Sequence, residues 1–417
     1  MFQGFHDLNY SHPSISESHH NNSRKQKMLT ALGLRGIPAA IAIASNLLAP
    51  GAQAQQVRTD IVASGLQNPW ALAFLPDGRF LVTERAGRLR LLAADGKPLA
   101  TVAGLPDMAA AGQGGLLDVV TDSDFARNRT LYFCYAEPAV TGRANSTALA
   151  SASLTTDGAR LENLKVLFSQ KPKVASSAHF GCRIVESRTP GMHGRPDGKL
   201  FLTLGDRFSR KEDAQKLDNH HGKIVRINKD GSVPADNPFA GKAGALPEIW
   251  SYGHRNGQGA TLAPDGTFWM HEHGPQGGDE INLPRPGANY GWPDITYGEN
   301  YGGGKIGEGL SRKTGMEQPL HYWVPSIAPS GMAFLTSERY GQAWLGNLFV
   351  GSLKFSYLDR IELSAPFGGK VVREHKLLAD VGERIRDVRQ GPDGLLYVLT
   401  DSSNGKLIRL LPQQAAK

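Results

Sequence analysis

One imidazole and four cations stand in this chain where a buried strand has no use for them. His179 lies in Ala178-His-Phe-Gly181, Lys354 ends Gly351-Ser-Leu-Lys354, and Arg384 and Arg386 belong to Glu383-Arg-Ile-Arg-Asp387. Arg255 and Asn256 lie in Gly253-His-Arg-Asn-Gly257, and Gln113 in Ala111-Gly-Gln-Gly-Gly115. A further segment, Glu272-His-Gly-Pro-Gln-Gly-Gly-Asp-Glu280, carries Gly274 and Pro275. The cations suit a ligand with several carboxylates or phosphates. Arg384 and Arg386 are two apart, so on a strand they point the same way. His179 is the candidate general base, because imidazole changes charge near neutral pH. Taken singly, a lone His is more often structural and an Arg pair more often a solvated strand face. Taken together, at loops or strand ends, they argue for one site built from converging loops. There is no G-x-x-x-x-G-K-[ST] loop and no G-x-G-x-x-G turn between strand and helix, which disfavours a nucleotide.

The elements that must hold these residues announce themselves through a repeated turn. Leu75-Pro-Asp-Gly-Arg-Phe-Leu-Val82, Arg195-Pro-Asp-Gly-Lys-Leu-Phe-Leu202, Ala263-Pro-Asp-Gly-Thr-Phe-Trp-Met270 and Gly391-Pro-Asp-Gly-Leu-Leu-Tyr-Val398 each run a turn into a β-prone strand. Pro presets φ, Asp bonds its own backbone and Gly accepts positive φ, so each copy reads as a hairpin. The prolines at 76, 196, 264 and 392 are spaced 120, 68 and 128 apart, or two, one and two repeats of 60–68 residues. Degenerate copies fill the gaps, at Leu116–Tyr135 around Asp122–Asn128 and at Gly331–Gly351. Six repeats of four short strands predict an all-β, six-bladed β-propeller of four-stranded antiparallel blades.

Composition agrees. Gly and Pro make up 74 of 417 residues, about 18%, against an average near 12%. That surplus argues against a helical bundle. No uninterrupted apolar run reaches the roughly 20 residues of a membrane-spanning helix, so no membrane span is expected. Residues 1–54 read as an N-terminal extension and secretory signal peptide. Arg24, Lys25, Lys27 and Arg35 precede the apolar stretch Gly36–Ala49, and Ala52-Gln53-Ala54 closes it as a cleavage site. Met28 offers a second start. Export to the periplasm is the expectation, with residues 55–417 as one catalytic propeller. Without the first 54 residues the chain has 42 basic and 37 acidic side chains, a net charge of +5. No basic run with interleaved aromatics stands out, so nucleic acid is not an expected partner. Two cysteines, Cys134 and Cys182, exclude a disulfide framework but leave one bridge open.

From about Leu66 to Leu410 the chain resembles the soluble pyrroloquinoline-quinone (PQQ) dependent aldose sugar dehydrogenases of the glucose/sorbosone dehydrogenase family. The motifs are Pro69-Trp-Ala-Leu-Ala-Phe74, Gly112-Gln-Gly-Gly-Leu-Leu-Asp118, His179-Phe-Gly181, Gln215–Lys223, Glu248–Gly253 with Arg255-Asn256, Glu272–Asn282, Asn289–Pro293, Ser330–Phe334 and Arg384–Val388. The resemblance implies a six-bladed propeller and oxidation of an aldose at its anomeric C1 hydroxyl to a lactone. It implies PQQ held by Gln113, Arg255, Asn256, Lys354, Arg384 and Arg386, and calcium held on the main-chain carbonyls of Gly274 and Pro275. His179 would take the proton while hydride passes to the calcium-bound quinone, and Asp206 would orient His179. The implied partners are a small aldose and an external electron acceptor, with the chain a monomer or homodimer. Gly257 departs from the family pattern, as do Arg188-Thr-Pro-Gly-Met-His-Gly194 and Asp206-Arg-Phe-Ser-Arg210. All three are expected near the substrate cleft. A metal-dependent lactonase would instead want several carboxylates around one channel metal, for which Asp279 and Glu280 are candidates. A purely binding propeller would need none of the cations.

Overall fold

The structure, a computed structural model, describes residues 57–413. The predicted signal peptide therefore lies outside the described residues. Within them, twenty-four strands form six four-stranded antiparallel sheets. The inner strands are Pro69–Phe74, Leu116–Thr121, Gly181–Arg188, Gly257–Leu262, Pro329–Phe334 and Ile385–Gln390, taken here as the first strands of blades 1 to 6. Blades 1 to 5 then run outward in chain order. Blade 6 closes the ring, because its outermost strand is Val57–Leu66, paired antiparallel to the C-terminal Gly405–Pro412. The predicted propeller and its blade count are what the chain forms.

The turns explain the hairpins. In all four Pro-Asp-Gly copies the glycine has φ between 77° and 87°. In all four the aspartate Oδ1 accepts the amide N–H two residues on, at 2.9–3.1 Å. The degenerate copy in blade 2 uses Asp122 instead, whose carboxylate accepts from Asp124 N–H, Asn128 Nδ2 and Tyr132 Oη. The second Pro-Asp-Gly copy differs from its siblings. Pro196 is drawn into the strand, opposite Arg188, and Thr189–Gly194 forms the actual loop.

Inner strands are buried on both faces, as in Pro329–Phe334, so they read as apolar runs rather than alternations. The apolar core lies between blades: Leu72 and Val82 of blade 1 pack with Val388 and Val398 of blade 6. The channel, by contrast, is charged. Arg183 of blade 3 meets Asp118 of blade 2 and Asp387 of blade 6, each at 3.1 Å. Arg389 meets the same two carboxylates, at 2.7 and 3.0 Å.

Cys134 and Cys182 form a disulfide between blades 2 and 3, both sulfurs buried. It closes a loop across 48 residues. Replacing both by Ala should lower stability by about 2–4 kcal/mol, read as a fall in Tm of the oxidised protein. Arg183→Leu should cost about 3–5 kcal/mol, because two buried carboxylates would then share Arg389 alone. Denaturant unfolding would measure it, and a neutral result would show the channel pairs to be dispensable.

Candidate active site

Two kinds of strand end meet at one mouth of the channel. Inner strands begin there, so the residues just before them face the mouth: Gln113, His179, Asn256 and Arg384. Second strands end there, and Arg85, Asp206, His273 and Asp401 follow the Pro-Asp-Gly glycines by seven or eight residues. Lys354 lies just past the second strand of blade 5, Leu348–Ser352.

His179 and Asp206 are brought together. His179 Nδ1 lies 2.6 Å from Asp206 Oδ1, and both residues are buried. Trp292 Nε1 donates to Asp206 Oδ2 at 2.8 Å, and Phe208 N–H donates to Oδ1 at 2.8 Å. The His179 N–H donates to Gln113 Oε1 at 2.8 Å. Burial holds the imidazole below its ordinary value, opposed by Asp206 and reinforced by Arg255 and Arg207. Burial pushes the Asp206 carboxyl upward, but His179 and Arg255 outweigh it and keep it below the usual range. The pair at neutral pH is thus a neutral imidazole donating Nδ1–H to a carboxylate. Its Nε2 has no hydrogen-bond partner among the described residues, the state a general base needs. His179, Arg207 and Phe208 all have φ between 51° and 65°. Such left-handed residues cost about 1–3 kcal/mol each and persist where surrounding structure holds them.

Beside this pair lies a cavity of about 540 Å³. Gln113, Asn256, Lys354, Arg384 and Arg386 line it, joined by Arg85, Trp70, Gln258 and His273. It has no carboxylate in its lining. Behind it, Asp401 Oδ2 accepts from Arg386 at 2.9 Å and Arg384 at 3.2 Å. Burial works to raise Asp401, but Arg386, Arg384 and Arg85 bring it down to about 2. Four cations thus face one backing carboxylate, and the buried Arg386 Nε has no hydrogen-bond partner among the described residues.

Other predicted residues are not gathered here. Arg255 Nη1 donates to the Gly274 carbonyl at 2.7 Å and to the His273 carbonyl at 3.1 Å. Arg255, Gly274 and Pro275 do not line the 540 Å³ cavity, and neither do His179 and Asp206, whose neighbours Phe180 and Gly181 do. Arg255 and Gly274 face a separate void of about 10 Å³ with Glu272 and Glu280. The Arg188–Gly194 insertion is not near this mouth. Gly191 and His193 donate their N–H groups to Asp265 and Pro264, on the turn of blade 4 at the far end of the channel. The inner strand Gly181–Arg188, eight residues long, carries the chain from one end of the channel to the other. Sequence reasoning missed Arg85, Gln258 and His273. The spacing from each Pro-Asp-Gly turn would have found Arg85 and His273, since both fall seven residues past the glycine.

Residues 66–409 match the family model described as glucose/sorbosone dehydrogenase. The chain belongs to the glucose/sorbosone dehydrogenase family. Among curated relatives it is 45% identical over 360 residues to aldose sugar dehydrogenase YliI of Escherichia coli K12, covering 86% of this chain and 93% of that one. It is also similar to the solved apo-form soluble aldose sugar dehydrogenase of E. coli, with TM-score 0.80, 42% identity and coverage of 86% and 100%. A PQQ-bound aldose sugar dehydrogenase from Streptomyces coelicolor matches with TM-score 0.67 and 25% identity, covering 85% of this chain and 99% of that one. As a glucose/sorbosone dehydrogenase family member the protein is an oxidoreductase acting on sugars.

If His179 is the base, protonation at low pH should remove activity. The acid limb of kcat/KM should therefore fall below pH 6.5, the ordinary imidazole value that burial depresses. Asp206 raises the imidazole, so Asp206→Asn should move that limb to still lower pH and reduce kcat about 10²–10⁴-fold. A limb above 6.5 in the native enzyme would contradict the assignment.

Proposed function

We propose that this protein is an exported PQQ-dependent aldose dehydrogenase that oxidises the anomeric C1 hydroxyl to a lactone. The observation that carries the reading is a cationic cavity, free of lining carboxylates, next to a neutral His179 held by Asp206.

The residues present fit PQQ, a flat molecule with three carboxylates. Arg384, Arg386, Lys354 and Arg85 offer more positive charge than Asp401 balances, and the Arg386 Nε lacks an acceptor among the described residues. Gln113, Asn256 and Gln258 add polar groups, and Trp70 an aromatic face. When bound, PQQ supplies the two-electron acceptor that side chains lack. His179 Nε2 would take the proton of the anomeric hydroxyl. Asp206 fixes the tautomer through Nδ1, and Trp292 fixes Asp206. Arg207, stacked 3.6 Å over Phe180, holds the turn that presents Asp206.

Calcium would be held on the Gly274 and Pro275 carbonyls, which are hard oxygen donors of the kind Ca²⁺ accepts. The Gly274 oxygen already accepts from Arg255 and keeps a second lone pair. Arg255 would thus serve the site by orienting this carbonyl. The lactonase alternative loses Asp279 to other duties. Asp279 Oδ2 accepts from Ser326 Oγ, Ile327 N–H and Ala328 N–H, and its Oδ1 from Gly274 N–H.

The test is reconstitution of residues 55–417 with PQQ and Ca²⁺, followed by dye reduction with a panel of aldoses. Turnover should require both. His179→Ala should still bind PQQ yet lose at least about 10²-fold in kcat, the range of general-base removal. Arg384→Ala with Arg386→Ala should weaken PQQ binding, seen by titration. Equal loss of cofactor affinity in both variants would refute the division of roles, and no turnover with any aldose would refute the function.

A further inference from the structure

Two stretches that stand out in the sequence, Gln215–Lys223 and Asn289–Pro293, have no task of their own in the mechanism above. They come from different blades. Gln215 ends the short 3-10 turn Lys211–Gln215, between the second and third strands of blade 3. Asn289–Pro293 follows the third strand of blade 4, Asp279–Asn282. The fold brings their amides face to face. Gln215 Nε2 donates to Asn289 Oδ1 at 3.0 Å, and Asn289 Nδ2 donates back to Gln215 Oε1 at 2.8 Å. Gln215 Nε2 also donates to the Trp292 carbonyl at 2.8 Å, and Asn289 Oδ1 also accepts the Gly291 N–H at 2.9 Å. A carbonyl only accepts and a backbone N–H only donates, so each side-chain amide has one orientation.

This amide clamp is anchored on both sides. The buried Lys223 Nζ donates to the Asp213, Ala214 and His221 carbonyls at 2.9, 3.0 and 2.7 Å, which fastens the turn that ends in Gln215. Gly253 packs against the amides. Its N–H donates to the Ala214 carbonyl at 3.0 Å, and its carbonyl accepts the Trp292 N–H at 2.9 Å. A Cβ on Gly253 would stand 2.2 Å from Asn289 Oδ1, so only glycine fits. What the clamp holds is Trp292, gripped at its carbonyl by Gln215 and at its N–H by Gly253. The indole Nε1 of Trp292 donates to Asp206 Oδ2, and no other donor reaches that oxygen among the described residues. The face of the same indole lies 5.2 Å from the Arg255 guanidinium. Gln215, Asn289 and Trp292 do not line the 540 Å³ cavity.

We propose that Gln215 and Asn289 are positioning residues for the reaction: their paired amides hold the Trp292 indole on Asp206, and through Asp206 fix the direction in which His179 presents Nε2. This rests on the reading of His179 as the base. With the indole in place, Asp206 Oδ2 is satisfied and Oδ1 stays turned to His179 Nδ1. Without it, a buried carboxylate oxygen has no donor and the carboxylate is free to turn. More charge then rests on Asp206, which draws the imidazole proton more strongly. A loosened Trp292 also admits water to the pair and lessens the burial that holds His179 low. Both effects raise the pH at which His179 takes a proton. The titratable groups around the imidazole are Asp206, Arg255, Arg207 and His273, and the variants below alter none of them.

Gln215→Met, close in volume but without the amide, should lower kcat about 10–100-fold in the PQQ- and Ca²⁺-loaded enzyme, the scale of a misplaced catalytic group, with KM for the aldose little changed. It should also raise the acid limb of kcat/KM by about one pH unit, the equivalent of one hydrogen bond to a charged group. Trp292→Phe should do the same. Gln215→Met added to Trp292→Phe should lower kcat little further, because the two residues act in series. A second readout needs neither cofactor nor sugar. The His179 imidazole titration, followed by NMR in the cofactor-free protein and assigned by its loss in His179→Ala, should move upward in both single variants. A lower Tm with limb and titration unchanged would overturn the proposal, since the clamp would then serve the fold alone. Multiplied losses in the double variant would overturn it in favour of a route through Arg255. If Gln215→Met does not fold, Asn289→Asp, which keeps the oxygen facing Gln215 and removes the return donor, carries the same comparison. If the native enzyme turned over no sugar, the proposed function would fall and the titration alone would decide the clamp: an upward shift upholds it, and no shift overturns it.

Discussion

The inner strands are tied to one another by a four-membered charge cluster, Arg183 and the part-exposed Arg389 against the buried Asp118 and Asp387. A propeller has no central element, so its inner strands must be tied to one another across a channel. Here the ties reach five of the six blades. Asp387 accepts the Leu72 N–H of blade 1, and Asp118 accepts the Ile184 N–H of blade 3. Arg183 Nε donates to the Gln258 carbonyl of blade 4. Blade 5 contributes by what it lacks: a Cβ on Gly331 would lie 2.6 Å from Asp387 Oδ1. Buried ion pairs add little net stability, because desolvation offsets their attraction. Their worth is in register. Each partner is satisfied only when the inner strands sit at one height.

That height decides where the site residues arrive. Hydroxyls repeat the register between neighbours: Thr83 Oγ1 donates to the Leu117 carbonyl, Thr147 Oγ1 to Phe180, Thr203 Oγ1 to Gly257 and Ser330 Oγ to Ile385. The Phe180 and Gly257 carbonyls neighbour His179 and Asn256. The left-handed backbone at His179, Cys182, Arg207 and Phe208 is therefore held from several sides at once. The disulfide at Cys182 fixes the strand three residues after the imidazole. Strain gathers at this mouth because the frame around it is over-determined.

Much of this was legible in the residues. Pro-Asp-Gly turns state their φ requirement in their own composition, so strand, period and blade count follow from them. The cation set was legible because Arg255, Lys354, Arg384 and Arg386 all stand beside glycines at loops or strand ends, where a buried strand has no need of charge. What failed was relative placement. The Arg188–Gly194 insertion is close in sequence to His179, yet one inner strand carries the chain from one end of the channel to the other. Arg255 and Gly274 were read as separate ligands, but only the fold could show that the guanidinium and the carbonyl face each other. Arg85 carried no motif of its own. Its meaning lies in counting from a turn, which requires knowing that second strands end at the mouth.

The channel thus contains two charge regimes, and one side chain divides them. Toward the hub, two arginines meet two aspartates and balance. Toward the mouth, Arg85, Arg384, Arg386 and Lys354 face Asp401 alone. Trp70 lies between, its ring 4.5 Å from the Arg183 guanidinium and 6.0 Å from that of Arg386. The indole gives each guanidinium an electron-rich face. Among the described residues Asp118 and Asp387 pair with Arg183 and Arg389 and not with the cations at the mouth. A polyanionic ligand that enters from solvent meets charge already concentrated for it, and it completes the pairing that the protein leaves open.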